Sequence, residues 1–141
     1  MYALPSTSSW TYTTATLRQA NGSTSNQLNF IVGVSENVLT ALASSCMTNT
    51  FGGTVNVKVA IGLNSTSTAV ATAIYTAFGQ NGGSNNVQTG IARYNGYPPI
   101  GRNYLAWLEY SDANGTTTWY GTNSAAGSGS FQAGINGEIL A

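Results

Sequence analysis

Thr54-Val55-Asn56-Val57-Lys58-Val59-Ala60-Ile61-Gly62-Leu63 is the stretch that decides the fold. Val55, Val57, Val59, Ile61 and Leu63 occupy every second position, with Asn56, Lys58, Ala60 and Gly62 between them. Successive side chains on an extended backbone point to opposite faces, so a period of two in β-branched residues predicts a half-buried strand. The Asn64-Ser65-Thr66-Ser67 run that follows carries turn chemistry and closes it.

The same period recurs on either side. Leu28, Phe30, Val32 and Val34 alternate, and Trp10, Tyr12, Thr14 and Thr16 lead into an Asn21-Gly22 turn. Val87, Thr89 and Ile91 form a short strand that ends at Asn95-Gly96-Tyr97-Pro98-Pro99. From Asn103 to Tyr110 both faces are apolar. Tyr104, Ala106, Leu108 and Tyr110 lie on one and Leu105 and Trp107 on the other, so this strand needs a second partner surface. Asp112-Ala113-Asn114-Gly115 is a turn, Thr116 to Tyr120 a Thr-rich strand, and Gly121 to Ser130 a loop of small residues. Phe131, Ala133, Ile135, Gly137 and Ile139 alternate towards the end.

Two stretches read both ways. In 35–46, Val38, Leu39, Leu42, Ser45 and Cys46 fit a helix capped by Ser35, whereas a strand places Leu39, Ala41, Ala43 and Met47 on one face. In 68–78 an Ala-rich run competes with Thr68, Val70, Thr72, Ile74 and Thr76, whose branched side chains favour extended backbone. The strand is the expectation in both. The fold class is all-β: an antiparallel sandwich or jelly roll of about eight to ten strands. Residues 1–9 read as an N-terminal attachment segment and 10–141 as the domain.

Composition bounds the chemistry. The 141 residues hold four Lys or Arg, four Asp or Glu and no His. Catalysis, metal binding and phosphate recognition draw mainly on these groups, so an enzyme is not expected, and neither is a metal or cofactor. Four scattered cations at zero net charge make no track for nucleic acid and no patch for an anionic membrane. Thr, Ser, Asn and Gln number 54 and must make most of the solvated surface. Such a neutral surface lacks the repulsion that keeps many monomers apart. No secretory signal is expected from Met1-Tyr2-Ala3-Leu4-Pro5, and no apolar run is long enough to span a membrane as a helix. Cys46 is the single cysteine and reads as an inert core thiol.

Each chemical motif has a plainer reading. Asn21-Gly22-Ser23, Asn64-Ser65-Thr66 and Asn114-Gly115-Thr116 match the glycosylation acceptor, but a chain this rich in Asn, Ser and Thr produces as many matches by chance, and they read as turns. Glu109 and Asp112 are the closest carboxylate couple, which a glycosidase would need, but at the mouth of a turn they read as solvated or Arg-paired surface acids. No clustered oxygen ligands suggest calcium. The second half is aromatic, and Tyr and Trp serve cores, subunit interfaces and sugar stacking alike. Tyr94 and Tyr97, in a Gly-Pro-rich stretch, are the best exposed candidates for glycan contact.

Gly101-Arg102-Asn103-Tyr104-Leu105-Ala106-Trp107-Leu108-Glu109-Tyr110, then Thr117-Thr118-Trp119-Tyr120-Gly121, then Gln132-Ala133-Gly134-Ile135-Asn136-Gly137-Glu138-Ile139, resemble the C-terminal signature of phage virion domains. The resemblance covers about the last forty residues, and Asn103 stands where similar sequences often have His. It implies a jelly roll similar to tumour necrosis factor and C1q, which generally form trimers, used as a fibre head or as a capsid or tail surface protein. Tyr104, Trp107, Tyr110 and Trp119 would then divide between core and trimer contacts. The expected role is a non-enzymatic structural subunit at the virion surface, partnered by its own copies and other virion proteins. The alternative is a lectin-like module that binds a host surface glycan.

Overall fold

The computed structural model describes residues 1–75, 77–80, 86–122, 124–126 and 129–140, with the backbone alone at 77–80, 124–126 and 129–131. Two antiparallel sheets pack face to face as a β-sandwich. In the first sheet β5 (Val38–Asn49) is central. One of its edges pairs with β9 (Gln88–Gly96), which also carries β7 (Ile74–Tyr75). The other edge is shared end to end by β14 (Gly134–Leu140) and β11 (Thr117–Tyr120). Beyond those lie β1 (Tyr2–Ala3) and β2 (Ser9–Thr11).

The second sheet is built on β10 (Gly101–Ser111). It pairs with β6 (Val55–Leu63) on one side, and with β4 (Gln27–Val32) and β3 (Arg18–Gln19) on the other. β8 (Ala77–Gln80) extends this sheet past β6. A separate hairpin joins β12 (Ser124–Ala126) to β13 (Gly129–Phe131), where the sequence suggested only a loop. Eight of these segments are four residues or longer, in line with the expected eight to ten.

The alternation read from 54–63 holds: Val55, Val57, Val59 and Ile61 are buried in the main core with Leu28, Phe30, Val32, Leu105 and Trp107. Trp10 meets Trp107 edge to face, with ring centroids 5.8 Å apart. β5 is a strand despite its Leu, Ala and Met content, because pairing along both edges outweighs intrinsic helix preference. The three Asn turns form as read. Asn21 and Asn64 take left-handed backbone conformations, and Gly115 sits at φ 67° where a Cβ would meet Asn49 Oδ1 at 2.6 Å.

Several expectations are corrected. β9 shows its other face to the core: Gly90, Ala92 and Tyr94 point inward, while Val87 and Ile91 are exposed. The small residues are required there, since a Cβ at Gly90 would come within 2.5 Å of Val59. Residues 68–73 are not a strand. They fold back across β6, with Val70 N–H donating to Ile61 O, and only Ile74–Tyr75 and Ala77–Gln80 are extended; Thr76 and residues 81–85 lie outside the described residues. Cys46 is half-buried on the outer face of the first sheet rather than in the core, within 3.3 Å of Thr89 Oγ1. Apart from these corrections, within residues 1–9 Tyr2–Ala3 pairs with β14 and Ser9 with Tyr120.

The two-faced apolar character of β10 is satisfied within one chain. On its outer face Ala106 and Leu108 are fully buried with Ala60, beneath Leu17, Ala69 and Tyr104. Gly62 makes this possible, because a Cβ there would collide with the carbonyl oxygen of Ser65 and lie 2.8 Å from that of Thr68. The 65–73 flap therefore supplies the second partner surface that the sequence demanded.

Candidate functional site

Glu109 was expected at the surface, and the structure places it at 0% exposure. It follows Leu105 and Trp107 on the inward parity of β10, so strand alternation carries it into the sandwich. Its carboxylate accepts from Trp10 Nε1 at 2.6 Å, Arg18 Nε at 2.8 Å, Arg18 Nη2 at 2.7 Å and the Asn21 backbone N–H at 3.1 Å. Burial pushes its pKa up to about 7, against the downward pull of Trp10, Arg18 and Asn21. Four donors occupy both oxygens, which leaves the group shut in as a latch between β10 and the 10–21 segment. Asp112 is directed elsewhere: it caps the turn by accepting from Asn56 N–H at 2.8 Å and Asn114 N–H at 3.2 Å. The two acids do not face a common cleft. Among the described residues no three His, Cys, Asp or Glu side chains group as metal ligands, and no helix is long and apolar enough to cross a membrane.

The aromatic candidates separate cleanly. Trp107 and Trp119 are fully buried. Tyr104 and Tyr110 are half-buried on the outer face of the second sheet, and Lys58 Nζ sits 4.6 Å from the Tyr110 ring centre. Tyr97 is 68% exposed, in the turn between β9 and β10. Tyr94 is not exposed: at 3% it belongs to the core wall, because it shares the inward parity of Gly90 and Ala92, and burial raises its pKa. Asn103, the position that departs from the resembled pattern, is a buried structural hub. Its Nδ2 donates to Pro99 O at 2.6 Å and Gly101 O at 2.9 Å, and its Oδ1 accepts from Asn64 Nδ2 at 2.7 Å.

Two surfaces remain for recognition. The outer face of the first sheet is broad. Strand register sets Ile74, Arg93, Leu42, Asn136 and Tyr2 in one transverse row across five strands, with Asn95, Thr40 and Glu138 in the row beside it. Ile74 and Tyr2, at the two ends, are among the most exposed apolar side chains, at 79% and 76%. A groove of about 560 Å³ runs over this face between Arg93, Asn95, Asn136 and Glu138. On the second sheet a groove of about 520 Å³ lies over the β4–β10 ladder, against Asn29, Ile31, Arg102 and Tyr104. Sequence reading missed both, because each is assembled from strands distant in the chain.

Comparison with models of known protein families, with curated proteins and with solved structures finds no match.

Proposed function

We propose that this chain is a non-enzymatic structural subunit of a bacteriophage virion, a jelly-roll domain that works as a homotrimer. It would serve as a capsid decoration or fibre-head subunit on the capsid or tail, at the virion surface and against other virion proteins.

The nested pairing of strands supports the jelly-roll part of this reading. β1 pairs with β14, β4 with β10, β5 with β9 and β6 with β8, each pair enclosed in sequence by the one before. That is one long antiparallel hairpin rolled into two sheets, the arrangement that generates two Greek keys. The observation that carries self-association is the Ile74-to-Tyr2 row. Exposed Ile74 and Tyr2 at its ends and half-buried Leu42 at its centre, with Arg93 and Glu138 the only charges among the strand residues named, suit a surface that meets another protein. The sparse charge elsewhere favours close packing of copies.

Sedimentation velocity at micromolar concentration tests the oligomer. A trimer that dissociates when Leu42, at the centre of the row, becomes aspartate supports it, and a clean wild-type monomer refutes it. Ordered recruitment of the purified protein to particles lacking it tests the virion role. The lectin-like alternative retains Tyr97 as its exposed loop aromatic, while Tyr94 is withdrawn into the core wall. Glycan-array binding lost in Tyr97→Ala would favour that alternative.

A further inference from the structure

We infer that the groove over β4 and β10 is a binding site for a carboxylate-bearing sugar, such as a uronic acid residue of a surface glycan, with Arg102 holding the acid and Tyr104 the ring. The inference rests on the carbohydrate-binding alternative and is independent of the trimer.

The platform is a single cell of the sheet. Ile31 lies directly opposite Arg102 and Asn29 directly opposite Tyr104, all four on the outer face. Opposed Cβ atoms are about 5 Å apart and the next row is about 7 Å along the strand, a patch that matches one pyranose ring. Its corners are chemically distinct: a guanidinium, a phenol, an amide and an aliphatic side chain. Gln27 Nε2 donates to Asn29 Oδ1 at 2.9 Å, which turns the amide so that Nδ2 remains to donate. Among the described residues no partner is found for Nδ2, for the Tyr104 hydroxyl or for the Arg102 guanidinium.

The backbone beneath is held by a chain of hydrogen bonds through Asn64 and Asn103. Asn64 N–H donates to Tyr104 O and Asn64 Oδ1 accepts from Tyr104 N–H, each at 2.9 Å. Asn64 Nδ2 reaches Asn103 Oδ1, and Asn103 in turn ties down Pro99 and Gly101 on the approach to Arg102. Both reading residues thus stand on a strand pinned by two side-chain amides, the buried Asn103 and the exposed Asn64, an arrangement that holds a binding site in its productive geometry.

The ligand class follows from the corners. An unpaired guanidinium fork matches a carboxylate through two parallel N–H···O bonds. The Tyr104 ring and the exposed Ile31 side chain offer an apolar surface to the C–H face of a sugar, and Asn29 Nδ2 a donor to a hydroxyl. The groove's six lining residues include no acid, so an anionic ligand meets no repulsion inside it. The groove on the first sheet differs in this respect, because Glu138 stands in it with Arg93.

Chemical-shift titration with methyl glucuronide, methyl glucoside and acetate, each as the sole probe, tests the assignment. Saturable shifts confined to β4 and β10 are expected with the glucuronide, with about tenfold or more weakening for the glucoside and for acetate. Arg102→Gln should weaken glucuronide binding about tenfold or more, and Arg102→Lys should also weaken it by losing the fork. Acetate binding as well as the glucuronide would overturn the proposal by reducing the site to a bare anion contact. Equal glucuronide binding by wild type and folded Arg102→Gln would overturn this site while leaving the carbohydrate reading in place. Failure to bind any sugar on an array would remove both.

Discussion

Replacing Arg18 by methionine keeps an unbranched apolar stem but strips two of the four donors from the Glu109 carboxylate. Removing one partner of an ion pair leaves the other, buried charge uncompensated, and the buried carboxyl answers by taking up a proton, which caps the cost. The cost should depend on pH, and its sign follows from the position of Glu109. Burial holds this carboxyl at about 7, above its ordinary 4.5. The folded protein therefore binds the proton more tightly than the unfolded chain, and wild-type stability falls as pH climbs through that window. At about 1.36 kcal/mol per pH unit the fall is about 3 kcal/mol, complete above pH 7 and absent below 4.5. Without Arg18 the folded value rises further, so the decline continues to higher pH. Urea denaturation followed by tryptophan fluorescence is a suitable assay, since Trp10 donates directly to Glu109. The expected loss on Arg18→Met is about 2 kcal/mol at pH 8, of which the titration of Glu109 above 7 supplies at most about 1.4 kcal/mol, shrinking to about 1 kcal/mol near pH 4.5, where the residue is the lost stacking of Arg18 over Tyr12. An equal loss at both pH values would refute the claim that an uncompensated buried charge is responsible.

Leu108→Ala should cost about 2–5 kcal/mol by opening a cavity under the 65–73 flap, and the loss should not vary with protein concentration; a concentration-dependent loss would mean that a neighbouring copy, not the flap, covers this face. Gly62→Ala should destabilise by roughly 1–3 kcal/mol or more by driving a methyl into the carbonyl groups of Ser65 and Thr68, with proteolytic cleavage of the flap as the readout. Asn103→Ala, which strands the carbonyl groups of Pro99 and Gly101 and the Asn64 amide, should lower stability by about 1–3 kcal/mol in thermal melts. Cys46→Ser should fall within about 0.5 kcal/mol of wild type, as expected for a half-exposed position outside the core.

Much of the architecture was legible because alternation is a local property. Val55 to Leu63, Leu28 to Val32 and Ile135 onwards carry their burial in their own spacing, and the three Asn turns announce left-handed backbone. β9 misled because its inward positions are Gly90 and Ala92. Crowding by Val59 and Met47 selected small residues for the core side, leaving the larger Val87 and Ile91 outside. Glu109 was readable in principle, since two further steps from Leu105 and Trp107 reach it. A carboxylate on an apolar face becomes credible only once Arg18 and Trp10 are brought beside it from ninety residues away or more. The flap over Leu108 was hidden for a related reason, because nothing local in 65–73 says which surface it will cover. The recognition surfaces depend on register, and register between strands so distant in sequence is not encoded in any short window.

The rolled hairpin also has a history in time. Its outermost rung joins Tyr2–Ala3 to Ile135–Asn136, so Tyr2–Ala3 waits for more than a hundred further residues before it can pair. The innermost rung, β6 with β8, joins Lys58 to Ala77, the shortest separation among the four nested rungs, and so loses the least chain entropy of them. Assembly would then proceed outward from β6 and β8 towards the termini, each rung shortening the search for the next. Until β14 emerges, the Val38–Ser44 part of one β5 edge stands open, which makes the nascent chain slow to mature and vulnerable to wrong partners.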